Sequence, residues 1–470
     1  MWDKDPTEDL INHGYFHITQ PGPLHAPVQA FSIHRDENLD LVLETQSADD
    51  SVSTSPNIPA GTIRIANERV ELTNIGNVSA AFVGILTRSV STSHDERGIP
   101  VKREVAKVQR IEGSMPGAGP ALYTVDWLSN VSGHSLLLPD FVRTEAKTTT
   151  TRTFGSDGLV RVGNDETSSF GRSAVKLTVS GVELFLCVTG EKSDQLRPGY
   201  ILYLRTPDAD FRRKVRDCLS YALGIYLVHL GTTTYTSDWH TVEFSSISAY
   251  SMDMKAFRLV NLPPAPLHET WRDGVDARML SCAVNGIFAS YDDLKFGNLA
   301  WAYWHAQAAT PHIAGVHFGA AIEALLRRYS ERHPDSIPSK PIPDTQVWKS
   351  FSRQVAALIA ELRVDDASKS LLMSSLGSFN RLPLKALLEK VAGHLGITLG
   401  NEELSAWKRR DDAAHGNDRE PGDELNLIRD NKLLRILFNR LLLRMTNASD
   451  RYHDHYTIGH KVRKLEEPTS

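Results

Sequence analysis

The apolar residues of this chain keep two different periods, and the change from one to the other falls at one place, the stretch Arg258-Leu-Val-Asn-Leu-Pro-Pro-Ala-Pro-Leu267. Prolines at that density cannot continue a helix and suit a linker, so a domain boundary is expected there, between regions 1–262 and 263–470. Before it, from about Phe16 to Tyr250, short apolar or alternating segments are broken by Gly, Pro, Ser, Asn and Asp, the pattern of strands and turns. Beyond it the apolar residues recur at helical spacing almost without interruption. The predicted fold class is therefore α+β and multidomain, a β-rich N-terminal region followed by an all-α helical bundle.

In the first region, Ile63, Ile65, Val70 and Leu72 alternate with polar residues across Asn67-Glu68, which predicts a half-buried hairpin over 61–74. Further strands are expected at Ala80–Leu86, Leu122–Trp127, Ala174–Thr178 and Val182–Thr189, with a turn at Ser180-Gly181. The Thr-, Gly- and Asp-rich segment Arg143–Glu166 reads as a long exposed loop. One helix interrupts the strands, about Asp208–Leu230, with Phe211, Val215, Leu219, Leu223 and Tyr226 at helical spacing. In the second region helices are expected at about 268–290, 294–307, 313–331, 344–362, 367–376, 384–395, 401–415 and 424–447. The last carries Leu427, Leu434, Leu437, Phe438, Leu441 and Leu442 on or near one face.

Composition limits the partners. A formal net charge of −5 offers no global positive field, so any contact with nucleic acid must be local. Cys187, Cys218 and Cys282 are far apart and lack C-x-x-C spacing, which suggests neither a disulfide framework nor a zinc ribbon and fits a reducing, cytoplasmic setting. The acidic start lacks the pattern of a secretory signal, and no apolar run approaches the length of a membrane span. No membrane or DNA partner is expected.

The residues that carry chemistry sit at the end of helix 401–415, in Trp407-Lys-Arg-Arg-Asp-Asp-Ala-Ala-His-Gly-Asn417. Gly416 and Asn417 tolerate the backbone of a helix stop, which puts His415 at a C-terminus where the helix dipole favours the protonated imidazole. Cleavage of RNA without a metal needs a base for the 2′-OH, an acid for the leaving oxygen and a cation on the phosphate. His415 and Arg410 supply those types, the guanidinium being able to fork two donors onto phosphate. Asp411, four residues before His415, shares its helix face and could orient the imidazole. Arg410 is about 140° around an ideal helix from His415 and about 7.5 Å along it, so one chain alone brings them together poorly, and a two-fold partner is favoured to complete the site. Lys408 and Arg409 could steer RNA phosphates, or act as plain dipole partners.

The string Arg410-Asp-x-x-x-His415-Gly before a long apolar helix resembles the R-x(4-6)-H motif of HEPN domains. Gly315–Leu326 is similar to an earlier helix of those domains, in which an acid recurs at the place of Glu323. With a β-rich region in front and Asn380–Glu389 inside the helical part, the layout is similar to that of ApeA-like abortive-infection proteins. The resemblance implies a metal-independent endoribonuclease with no cofactor, active as a homodimer or higher homo-oligomer through the HEPN domain. It further implies cleavage of host RNA, tRNA foremost, leaving 2′,3′-cyclic phosphate ends, once the N-terminal region senses a phage protein. The cysteine zinc site of some members has no counterpart here. The competing reading is a non-catalytic HEPN-like dimerisation or RNA-binding module behind a β-rich ligand-binding domain.

Other signals read more simply. Arg328 and His333 repeat the spacing, but His333 precedes Pro334 in a Pro-rich loop. Glu323 reads as a carboxylate satisfied by a neighbouring Arg. His453, His455 and His460 have metal-ligand types, yet a C-terminal segment packed on the bundle is the preferred reading, and no metal site is expected. Trp271, Trp301, Trp304 and Trp348 read as core.

Overall fold

The computed structural model describes residues 5–48, 68–94, 96, 98–133, 138–154, 158–189, 196–248, 265–267, 276–338, 340–414 and 424–469; over 132–133, 141, 144–154, 158–172, 196 and 411–414 it describes the backbone alone. The chain is α+β, with a large antiparallel sheet in its N-terminal part and helices in its C-terminal part. It divides into two compact units, one of residues 1–216, 225–262 and 270–281, the other of 217–224, 263–269 and 282–470.

Strands β1 (His17–Gln20), β4 (Arg69–Thr73), β5 (Ser79–His94), β6 (Pro100–Ser114), β13 (Thr241–Ile247), β12 (His229–Tyr235), β7 (Tyr123–Gly133), β11 (Leu196–Tyr203), β10 (Val182–Val188), β9 (Gly158–Val179) and β8 (Asp140–Phe154) lie side by side in that order. The hairpin β2 (Val28–Arg35) and β3 (Leu41–Ser47) joins through β6. Alternation sets the faces: Val70, Leu72, Phe82 and Ile111 point inward with Ile33, Leu41 and Leu43 into one core. Ser180 and Gly181 both take positive φ in the tight turn between β9 and β10, as its two-residue loop requires.

Two expectations for this unit need correction. The strand foreseen at Val70–Leu72 forms, but its described neighbours are β1 and β5; residues 61–67, its expected hairpin partner, lie outside the described residues. The segment 143–166 is no loop, because β8 and β9 pair from Asp140↔Ala174 to Phe154↔Gly158. Its many threonines are β-branched and favour the extended backbone, a preference outweighed in the sequence reading by the Gly and Asp among them.

Helix α1 (Thr7–His13) precedes β1, α2 (Ala209–Leu223) falls between β11 and β12 in the chain, and α3 (Ala277–Ala289) has residues in both units; in the helical unit α4 (Tyr291–Leu294), α5 (Phe296–Ala308), α6 (Pro311–Arg332), α7 (Thr345–Glu361), α8 (Asp366–Leu376), α9 (Leu384–Leu395), α10 (Asn401–Ala414) and α11 (Glu424–Met445) follow one another. Pro311 opens α6, Asp344 and Asp365 cap α7 and α8 with their carboxylates, and Gly396 closes α9 in the left-handed region. The face foreseen on α11 is buried: Leu427, Leu434, Leu437, Phe438, Leu441 and Leu442. Trp304 is core, whereas Trp301 is 48% exposed and lies on the His305 ring; two residues from both Leu299 and Tyr303, it stands about 200° around the helix from the side that they bury. Trp348 is half-buried, and Trp271 lies outside the described residues. Among the described residues no helix is long and apolar enough to cross a membrane.

Candidate functional site

Helix α10 is anchored at its start by a buried charge. At its start Glu403 accepts from the backbone of Gly400 at 2.8 Å and, fully buried, pairs with Arg440 of α11, whose side chain is 0% exposed. Arg440 places its remaining donors on the carbonyls of Thr398 and Leu465, so the helix, its partner α11 and the C-terminal tail share one anchor. Ala406 and Trp407 then face the core.

Arg410 follows Trp407 by three residues and therefore lies over the same face. Its guanidinium carbon stands 3.5 Å from the centroid of the Trp407 ring, a cation–π contact, and its Nη1 donates to the Trp407 carbonyl. Gly319 of α6 makes room for it: a Cβ there would come 2.9 Å from the Cδ of Arg410. The guanidinium is thus drawn back along its own helix, over the turn that precedes it. His415 lies outside the described residues, and for Asp411 the backbone alone is described, so the Arg410, Asp411 and His415 constellation is placed through Arg410 and the helix that bears it.

Of the two basic neighbours, Lys408 is exposed. Arg409 forks onto Asp430 of α11, Nε to Oδ2 at 2.8 Å and Nη2 to Oδ1 at 2.5 Å, so its guanidinium is engaged within the bundle. Glu323 is held by Arg327 one turn on, at 2.7 Å. In the other Arg/His pair, Arg328 bonds Glu331, and His333 lies against the rings of Tyr329 and His394.

In the C-terminal tail Asp454 is fully buried and holds Arg463, Thr457 and the backbone of Tyr456, while His455 bonds the carbonyl of Ala265 at 2.9 Å. Burial, with the neighbouring His453 and Arg435, pushes the His455 imidazole down to about 3 although that carbonyl bond opposes the shift. Among the described residues no group of three or more His, Cys, Asp or Glu could hold a metal ion.

A polar cluster in the β-rich unit went unread in the sequence. Asp126 of β7, 0% exposed, is met by Arg216 and Arg212 of helix α2 (Ala209–Leu223), by the Thr232 hydroxyl at 2.8 Å and by His229 at 3.6 Å. Burial alone would raise its pKa, but the attraction of Arg216, then of His229 and Arg212, holds the carboxyl well below its usual range. Burial, aided by Arg216, lowers the pKa of His229, against the opposing pull of Asp126. The signal was present: an Asp within the apolar run Tyr123–Trp127, and two arginines four apart on one helix face.

Compared with family models, with curated proteins and with solved structures, the chain matches none.

Proposed function

We propose that the helical unit is a HEPN-type endoribonuclease that cleaves host RNA without a metal, with Arg410 and His415 as the reacting pair and Asp411 orienting the imidazole. His415 takes the proton of the 2′-OH and returns one to the leaving 5′-oxygen; the guanidinium of Arg410 meets the charge that builds on the phosphate. The product carries a 2′,3′-cyclic phosphate, and tRNA is the leading substrate. Two copies supply the site across a two-fold axis, and the β-rich unit receives a phage trigger in the cytoplasm. The observation that carries this reading is the position of Arg410, one turn from the end of α10, in a seat that Gly319 leaves open and the long helix α11 follows.

In this reading the Trp407 contact and the seat at Gly319 hold Arg410 ready for the phosphate. Incubating the protein with total tRNA and a chelator tests it: discrete fragments are expected, absent from His415→Ala and Arg410→Ala, and full cleavage by either variant removes the assignment.

A second reading has its own observation. A guanidinium stacked on a buried indole and bonded to a backbone carbonyl is also what a purely structural arginine does, as in a non-catalytic HEPN-like dimerisation or RNA-binding module. It predicts that Arg410→Ala lowers the unfolding midpoint and that no tRNA fragments form with wild type.

A further inference from the structure

The β-rich unit carries a cleft of about 450 Å³ on one face of its sheet, apart from the core face. Its floor follows from strand register. Glu71, Ala81, Glu112, Ser245, Thr232 and Asp126 are directly paired neighbours across β4, β5, β6, β13, β12 and β7, and such neighbours point to one side. Two residues along each strand, Ser79, Ser114, Glu243 and Thr234 form a second row on the same side. Where an apolar face would be covered, these rows offer hydroxyls to the open.

The charges of the cleft are unequal in how they are spent. Glu71 and Glu112 are both bonded by Arg69, and Arg110 adds a further contact to Glu112 at 2.8 Å. Asp126 is taken by Arg216 and Thr232. Glu243, the remaining carboxylate of the lining, is exposed, and Arg212 lines the cleft with a side chain 15% exposed and approaches Asp126 no closer than 3.5 Å, beyond a good hydrogen bond. Its buried Nε is the atom that faces Asp126 and has no hydrogen-bond partner among the described residues, so the fork toward the cleft is made by the two Nη groups. A guanidinium has five donors in a rigid fork, and leaving them unspent out of water is costly, so a mostly buried one is normally saturated.

We infer that this cleft binds a small hydroxylated anion, a sugar or polyol bearing a phosphate or carboxylate, with Arg212 forking onto the anionic group and Thr234, Ser245 and Ser114 meeting the hydroxyls. Bidentate capture of an oxyanion is the arrangement that a guanidinium fork fits best, and five Ser and Thr side chains suit a polyol rather than an apolar ring. The inference stands independently of the nuclease reading, since every residue in it belongs to the β-rich unit.

Calorimetric titration of the full chain with ribose 5-phosphate, glucuronate and ribose tests it, the first two distinguishing phosphate from carboxylate. At least one anion is expected to bind about tenfold or more tighter than ribose, and Arg212→Gln should weaken it by about tenfold or more. Ser245→Leu, which fills the floor from β13 rather than from α2, should abolish binding and decides the matter if Arg212→Gln fails to fold. Binding of ribose as tight as of the anions, no binding of either anion at millimolar concentration, or unaltered binding by Ser245→Leu overturns the inference.

Discussion

Replacing Arg440 by Leu should cost the helical unit about 3–5 kcal/mol, the price of leaving one member of a buried ion pair alone. The size follows from the contacts. Arg440 and Glu403 are both 0% exposed, with Nη1 to Oε1 at 2.5 Å, and the guanidinium also serves the Leu465 carbonyl at 2.8 and 3.2 Å and that of Thr398 at 2.9 Å. Without it, Glu403 keeps, among the described residues, the Gly400 N–H at 2.8 Å and the Thr469 hydroxyl at 3.2 Å, and the two carbonyls lose these donors. At 1.4 kcal/mol per power of ten, the folded fraction falls relative to the unfolded by about two to four powers of ten. Urea unfolding followed by intrinsic fluorescence reads it as a lower midpoint at unchanged slope. The double replacement Arg440→Met with Glu403→Leu should lose less than either single change, because it buries no charge. A single-variant loss below about 1 kcal/mol, the range of an exposed pair, refutes the argument, as does a double variant less stable than both singles.

Three further outcomes are expected. Burial holds His455 down to about 3 against an ordinary 6.5, so between those values the unfolded chain binds a proton that the folded chain does not. Stability owed to this group is full above pH 6.5 and falls by about 2 kcal/mol by pH 5; thermal unfolding at pH 7.5 and 5 should show the loss, His455→Asn should lessen it, and an equal loss in that variant counts against the assignment. Gly319→Ala should leave the melting temperature near that of the parent, since about 1 kcal/mol of helix propensity offsets the displaced arginine, while tRNA cleavage drops about tenfold as Arg410 leaves its seat; unchanged cleavage contradicts the role given to that seat. Asp430→Asn weakens the hold on the Arg409 fork and should tighten RNA binding with a salt dependence steeper by about one phosphate contact, measured by fluorescence anisotropy at several salt concentrations; identical slopes would show that Arg409 never meets phosphate.

Periodicity made the helical unit legible because its signals are local. Leu384–Leu395 forms over the residues expected, and α11 buries the face its leucines announce. Strand pairing is not local, and there the reading failed in kind. Val70 and Leu72 announced a strand but not that β1 and β5 would flank it, and the threonines of β8 gave β-propensity that composition alone turned into a loop. Buried polar groups were the other blind spot: Arg440 and Asn439 sit inside α11 among leucines, and no helical pattern says that a charged residue will find its partner in another helix.

The same limit governs the candidate site. The sequence names Arg410 by residue type and by place near a helix end, but its orientation depends on two residues that carry no chemistry of their own. Trp407 is a core residue whose ring is also the platform for the guanidinium, and Gly319, in a helix distant in sequence, is the missing side chain that lets it lie there. An arginine held this way is fixed before any substrate arrives, which lowers the entropy cost of placing it and raises the cost of moving it. The two effects oppose each other at one residue, and the sign of their sum separates a nuclease from a scaffold. If the phosphate is taken up where the guanidinium rests, Trp407→Leu should impair cleavage as much as Arg410→Ala; if the arginine must first leave the indole, Trp407→Leu should cleave faster at subsaturating RNA while unfolding at lower urea. Loss of stability in Trp407→Leu and Arg410→Ala, with no cleavage by wild type, assigns the pair to the fold alone.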